Sequence, residues 1–182
     1  MNAELGVSHP DLAKKIGLDD WLNDPGLPSN APKPESERFA AVEAAAKAWT
    51  DGGALPQAGV TADWTTQEWL RFLRTLPREL TSGQMQALEG SFQLTASANA
   101  EIAHQWLLMA VRNEYGPAYG RLEEFLITVG RRKFVKPLFE ELVKTPEGLA
   151  RAEVLFGKAR SGYHPITGST VEEILAKARS RS

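Results

Sequence analysis

The sequence contains no cysteine, and this absence removes a large group of chemical options. Without thiols the chain can form no disulfide, no thiolate metal site and no cysteine nucleophile. The absence does not by itself identify the compartment in which the protein works. Any catalytic or metal-binding chemistry must therefore come from histidine, carboxylate, hydroxyl or amine groups.

Long apolar runs and a strong net charge are lacking as well. No apolar run approaches the roughly 20 residues that are needed to span a membrane. Residues 1–10 have neither the basic start nor the apolar core of a signal peptide. The net charge is only −2, so no field over the whole molecule would attract nucleic acid. We therefore expect neither a membrane nor a nucleic acid as a partner.

Alternating runs of β-branched residues, which mark strands, are also missing, whereas helix signals recur from Ser36 onward. Thr65 and Glu68 form a capping-box pair, Thr81 precedes a further apolar stripe with helical spacing, and either Ser97 or Asn99 precedes the next. Short connections make neighbouring helices antiparallel. The pattern predicts an all-α protein of about eight or nine antiparallel helices, either an irregular α-solenoid or a helical bundle.

The N-terminal part differs in composition from the rest of the chain. Pro25, Pro28, Pro32 and Pro34 fall within ten positions, and so many prolines exclude a helix or a central strand there. We predict that residues 1–35 form an extended, proline-rich arm or linker and that residues 36–182 form the helical domain.

Near the C-terminal end of the sequence, Thr170 with Glu173 suggests a last capping box.

The junction of two predicted helices carries three adjacent cations. One apolar stripe ends at Gly130, the next begins at Phe134, and Arg131, Arg132 and Lys133 lie between them. The first turn of a helix has partial positive charge and unpaired N–H groups, so cations there cost stability while anions are favoured. Such departures from local preference are more common at functional sites.

Two interpretations of this junction remain open at the level of the residues. A short charge run is usually a solvated face, and the two arginines suit the end of the preceding helix. Alternatively, the cations bind an anion. Acidic residues flank the junction on both sides, which argues against a broad phosphate-binding surface and favours one small anion such as a carboxylate; these residues are Glu123, Glu124, Glu140 and Glu141.

No catalytic or metal-binding constellation is visible. His9, His104 and His164 are far apart, and only one Glu-x-x-His pair exists, Glu101 with His104, whereas a di-iron bundle needs two such pairs and further carboxylates. We read that pair as an i,i+3 polar contact on a helix surface. The hydroxyl groups near His164 lack the strand–elbow–helix context of a serine nucleophile; they belong to Ser161, Ser169 and Thr170.

The junction resembles a known family. Residues 130–139, Gly-Arg-Arg-Lys-Phe-Val-Lys-Pro-Leu-Phe, are similar to the Gly-Arg-x-Lys-Phe-x-(Arg/Lys)-Pro-Leu-Phe motif of the C-terminal domain of the leukotriene A-4 hydrolase and aminopeptidase family, which are zinc metallo-aminopeptidases. Three further segments resemble that family in the same order and spacing, so the resemblance extends over nearly the whole chain; they are 20–28, 99–107 and 164–167.

The resemblance implies a right-handed superhelix of antiparallel helix pairs, packed against a separate zinc domain with the active-site cleft between the two. It implies that Arg131 and Lys133 point into that cleft and bind the free carboxylate of a short peptide substrate. Arg132 occupies the variable position of the motif and is not expected to be a ligand.

The family's His-Glu-x-x-His motif, its further glutamate ligand and its Gly-x-Met-Glu-Asn loop are not in this sequence. The resemblance therefore implies that the zinc belongs to a separate catalytic domain, which would be this domain's partner, and that the chain alone has no hydrolytic activity. The alternative is a stand-alone helical module that binds a peptide or a protein helix without catalysis.

Overall fold

The computed structural model describes residues 10–23, 25–28, 30 and 36–181. The chain divides into two compact units, Met1–Ser36 and Glu37–Ser182.

The first unit contains two short helices, α1 (Pro10–Lys15) and α2 (Leu18–Asn23), so the arm is not extended throughout. Both have the sequence features of helix starts, because Pro10 suits the first helical turn of α1 and two aspartates lie in the first turn of α2. Gly17, with φ +62°, ends α1 in the left-handed conformation that glycine tolerates. Pro25 and Pro28 are non-helical as expected, whereas Pro32 and Pro34 lie outside the described residues.

The second unit is helical over nearly its whole length, and residues 37–181 include nine α-helices and no strand, which confirms the all-α prediction. These helices are α3 (Glu37–Thr50), α4 (Ala58–Thr61), α5 (Thr66–Thr75), α6 (Ser82–Phe92), α7 (Ala100–Arg112), α8 (Tyr119–Thr128), α9 (Arg132–Leu142), α10 (Pro146–Ala159) and α11 (Pro165–Arg179).

The odd-numbered helices of this unit form one row, in which α3, α5, α7, α9 and α11 each pack against the next. Helices α8 and α10 pack against each other and against members of that row. In this row each helix packs against the next but one along the chain rather than against the helix that directly follows it. As a result, the first turns of α7 and α9, far apart in the sequence, belong to packed neighbours.

The core is aromatic and aliphatic. Trp106, Phe72, Phe125 and Phe139 are fully buried, and the Trp106 indole N–H donates to Thr95 Oγ1 at 2.9 Å. Burial of such side chains supplies most of the folding free energy. Among the residues that the structure describes, no helix is long and apolar enough to cross a membrane.

The predicted capping box of α5 is present in full. The Glu68 backbone N–H donates to Thr65 Oγ1, and the Thr65 N–H donates to Glu68 Oε2 at 2.8 Å. Arg38 from α3 donates to the same buried carboxylate at 2.6 Å. These hydrogen bonds, first that from Arg38 and then those from Thr65, lower the pKa of Glu68 to about 2.

The last predicted capping box is wrong. Thr170 lies inside α11, which begins at Pro165, and the Thr170 hydroxyl donates to the Ile166 carbonyl at 2.8 Å. The cap of α11 is His164, whose Nδ1 accepts the Ile166 N–H at 3.3 Å. Proline at the first helical position sets the start of this helix, and a mid-helix threonine can bond back to the preceding turn.

Candidate functional site

Helix α9 begins at the three cations, as the sequence predicts. Arg131 is its N-cap residue, with φ −72° and ψ 120°, and Arg132 and Lys133 are its first two helical residues. No side chain caps this end, and no acidic residue lies in its first turn. Five other helices of the same unit have a side-chain cap; these caps are Thr65, Thr81, Asn99, Thr145 and His164.

The chain just before α9 is held closely against the segment that precedes α11. A Cβ at Gly130 would lie 3.3 Å from the Gly162 carbonyl oxygen and 3.6 Å from the Tyr163 ring, so a larger residue would force a small shift of the neighbouring backbone. The Tyr163 hydroxyl donates to the Leu126 carbonyl at 2.8 Å, and burial raises the pKa of Tyr163. These contacts fix the backbone from which the cations project.

Arg131 is the free cation of the three. Its guanidinium carbon lies 5.7 Å from the centroid of the buried Phe134 ring. Within the described part of the chain, no carboxylate pairs with it and no acceptor receives its N–H groups. An exposed guanidinium beside an uncapped helix start is suited to bidentate binding of a carboxylate.

Lys133 is held by two contacts. Its ammonium pairs with the Glu101 carboxylate in the first turn of α7 and lies 4.7 Å from the Phe134 ring centroid. The Lys133 side chain is 50% exposed and that of Glu101 is 35% exposed. Both Arg131 and Lys133 therefore lie around one buried ring, and the structure brings the two predicted site residues together.

Arg132 points to a different partner. Its Nε donates to Thr170 Oγ1 at 3.0 Å and so connects α9 to α11. This neutral contact leaves the charge of Arg132 in place but directs the side chain to the neighbouring helix.

The acidic residues that flank the junction are all paired elsewhere. Glu124 pairs with Arg121 at 2.9 Å and Glu140 with Lys136 at 2.7 Å, each within its own helix. Glu123 accepts from Lys158, and the largely buried Glu141 accepts from Arg112, Arg78 and Lys144. The flanking carboxylates thus do not neutralise Arg131.

The cations line an open groove of about 580 Å³. Residues at the start of α11 also line it, among them His164 and Thr167. Thr167 Oγ1 donates to the Gly130 carbonyl at 3.4 Å, and His164 is the cap of α11. An open groove of this size admits the end of an extended ligand rather than enclosing a small molecule.

Glu101 bonds to Lys133 rather than to His104, although its negative charge still acts on the imidazole. The His104 ring lies 5.1 Å from the Phe134 ring, and its buried Nε2 has no hydrogen-bond partner. Burial lowers the pKa of His104 to about 4, so the imidazole is neutral at pH 7. The imidazole packs against the Phe134 ring, the same ring that the two cations approach.

No metal site can be built from these residues. Over residues 36–181 and the described part of the first unit, no group of three or more His, Asp or Glu could hold a metal ion. Glu101 is engaged by Lys133, and His104 is buried against Phe134. The donor groups of the described residues therefore do not form a site that fits a zinc ion.

The sequence did not predict two contacts of this region, the ion pair of Glu101 with Lys133 and the hydrogen bond that Thr170 accepts from Arg132. The partner of Glu101 is 32 positions away and that of Thr170 is 38 positions away. Helical periodicity relates residues three or four apart and carries no information on such pairs. Only the packing of α7 and α11 on α9 brings them together.

Comparisons with known proteins give consistent results. The family profile described as "Leukotriene A4 hydrolase, C-terminal" matches residues 64–175. "Leucine aminopeptidase 2" of Neurospora crassa is 36% identical over 92% of this chain and 26% of that protein. "Aminopeptidase B" of Mus musculus is 26% identical over 92% of this chain and 28% of that protein. The chain thus spans about a quarter of the length of these curated relatives.

Among solved structures, that of yeast LTA4 hydrolase in complex with bestatin superimposes with a TM-score of 0.66. The match covers 95% of this chain and 31% of the yeast chain, at 21% sequence identity. At this identity the likeness establishes the fold alone.

Proposed function

Because the chain belongs to the family of leukotriene A4 hydrolase C-terminal domains, as the motif at 130–139 predicts, we propose that it is the substrate-recognition domain of a zinc aminopeptidase. In this proposal Arg131 and Lys133 bind the free carboxylate of a short peptide. The zinc and the residues that activate water belong to a separate domain.

The free guanidinium of Arg131 is the observation that carries the proposal. It projects at an uncapped helix start, where the first-turn N–H groups and the helix dipole add to its positive potential. Lys133 supplies a second cation around the same ring. Such a site recognises a planar anion, and the open groove admits the peptide chain that leads away from it.

For the enzyme, this binding would fix the position of the peptide substrate. A carboxylate held at a fixed distance from the reacting bond selects peptides by length and aligns them, while the chemistry takes place elsewhere. A charge-assisted hydrogen bond of this kind contributes roughly 1.5–3 kcal/mol, which is about a tenfold to hundredfold change in binding.

The test is steady-state kinetics of the zinc enzyme that carries this domain. Arg131→Ala should raise KM for a tripeptide with a free carboxylate by about tenfold or more, because the fork that binds it is removed. For the same tripeptide as a C-terminal amide, KM should change by less than about threefold, because the amide carries no charge for the guanidinium to hold.

Lys136→Ala is the matched control, since it removes a cation from the same helix whose partner is Glu140. It should affect acid and amide substrates alike. Equal losses on acid and amide in Arg131→Ala would refute the carboxylate role.

A further inference from the structure

The pair formed by Glu101 and Lys133 has a consequence for specificity, which rests on the proposed function. Glu101 is the second helical residue of α7, where the helix dipole stabilises its negative charge. Its carboxylate pairs with the ammonium that is to receive the ligand. A ligand group bound by Lys133 must therefore lie close to a fixed carboxylate of the protein.

The geometry of Lys133 keeps this arrangement in place. The Phe134 ring lies 4.7 Å from the ammonium and is itself buried against His104 and Phe125. Lysine loses considerable rotamer freedom when it is held in one position. A half-exposed ion pair contributes little to stability. The contact serves better to position the ammonium than to stabilise the fold.

Among the described residues, the glutamates that flank this junction in the sequence all pair with other cations, so Glu101 is the carboxylate that acts on the ligand there. Arg132 also lines the groove, but its Nε is bound to the neutral Thr170 hydroxyl and it does not share the Phe134 ring with the other two cations. The charges that a ligand meets are therefore uneven, with a free cation at Arg131 and a pre-paired cation at Lys133.

We propose that Glu101 is a specificity-determining residue, which makes the site accept a single carboxylate and disfavour a peptide whose C-terminal residue carries a second one. The first carboxylate binds Arg131 and shares Lys133. A second carboxylate near Lys133 meets the negative charge of Glu101, and the Lys133 ammonium that could offset the repulsion is already paired with Glu101.

The experiment is a titration of the full 182-residue chain at pH 7 with Ala-Ala-Gln and with Ala-Ala-Glu, monitored by NMR through the backbone amides of residues 131–133. The two peptides have nearly the same shape and differ by one negative charge. The wild-type chain should bind the Gln peptide about threefold to tenfold more tightly. In Glu101→Gln this ratio should fall to near one, because the repelling charge is gone.

Glu140→Gln is the matched control. It removes one negative charge from the exposed pair with Lys136 at the far end of α9, and it should leave the ratio unchanged. A second variant, Glu101→Lys, should reverse the preference. A change in folding would weaken binding of both peptides alike and would not alter the ratio.

An unchanged Gln-to-Glu ratio in Glu101→Gln, with binding that still depends on Arg131, would overturn this inference and leave the proposed function intact. If neither peptide shifts the amides of residues 131–133, the proposed function and this inference both fail.

Discussion

Glu101 and Lys133 form an ion pair between the first turns of α7 and α9, although 32 positions separate them in the sequence. The Lys133 ammonium lies over the buried ring of Phe134, which the Arg131 guanidinium and the His104 ring also approach. One aromatic side chain thus organises two cations on the surface and a neutral imidazole below it. The properties of this cluster can be tested separately from any catalytic activity.

His104 should make the stability of the chain depend on pH in a defined interval. Its pKa is about 4 in the folded state, mainly because of burial, and 6.5 is the ordinary value. Glu101 opposes this shift, whereas Arg74 and Lys133 add to it. The unfolded chain therefore binds more protons between pH 6.5 and 4, and the stability that the neutral ring contributes is lost as pH falls through this interval.

The measurement is urea unfolding of the wild-type chain and of His104→Phe at pH 7 and pH 5. The wild type should lose about 1–2 kcal/mol more than the variant between these values, after allowance for the partial exposure of the ring. At pH 7 the variant should be close to the wild type, since Nε2 has no partner to lose. The same loss in both proteins would show that the imidazole remains solvated.

Arg132 should behave differently from its two neighbours. Arg132→Ala removes the hydrogen bond to Thr170 and should lower the free energy of unfolding by about 1 kcal/mol, as measured by urea denaturation. It should leave the preference for a peptide acid over the amide within about twofold. If Arg132→Ala abolished this preference and Arg131→Ala did not, the assignment of roles along the motif would be wrong.

Much of the fold follows from local sequence signals. The caps at Thr65, Thr81 and Asn99, and the stripes behind them, predict helices that the structure confirms. These signals act within one helical turn, so a single sequence is sufficient to recognise them. The start of α9 at the cations is predictable for the same reason, because it follows from Gly130 and the apolar stripe that begins at Phe134.

The errors arise where local signals compete or where the partner is distant. Thr170 has the spacing of a cap, but Pro165 starts the helix one and a half turns earlier, and the threonine hydroxyl bonds back to Ile166. The short helix α4 has no strong apolar stripe and was not predicted. The clustered prolines led to the prediction of an extended arm. Helices α1 and α2, which have start signals of their own, lie before the first of these prolines and were not predicted.

The candidate site is only partly predictable. Arg131 and Lys133 can be chosen from the motif, but the sequence does not distinguish the free cation from the paired one. That difference depends on the packing of α7 against α9, which places a carboxylate beside Lys133 and none beside Arg131. Long-range pairs of this kind are the part that helical periodicity cannot supply.

The most direct test of the central claim is an NMR titration of the full chain with Ala-Ala-Ala and with its C-terminal amide, which differ only at the carboxylate. The account predicts that the acid shifts the Arg131 Nε–H signal and the amides of Arg132 and Lys133, and binds about tenfold more tightly than the amide. In Arg131→Ala this preference should disappear. Equal binding of acid and amide by the wild-type chain, or an acid preference that survives in Arg131→Ala, would contradict the claim.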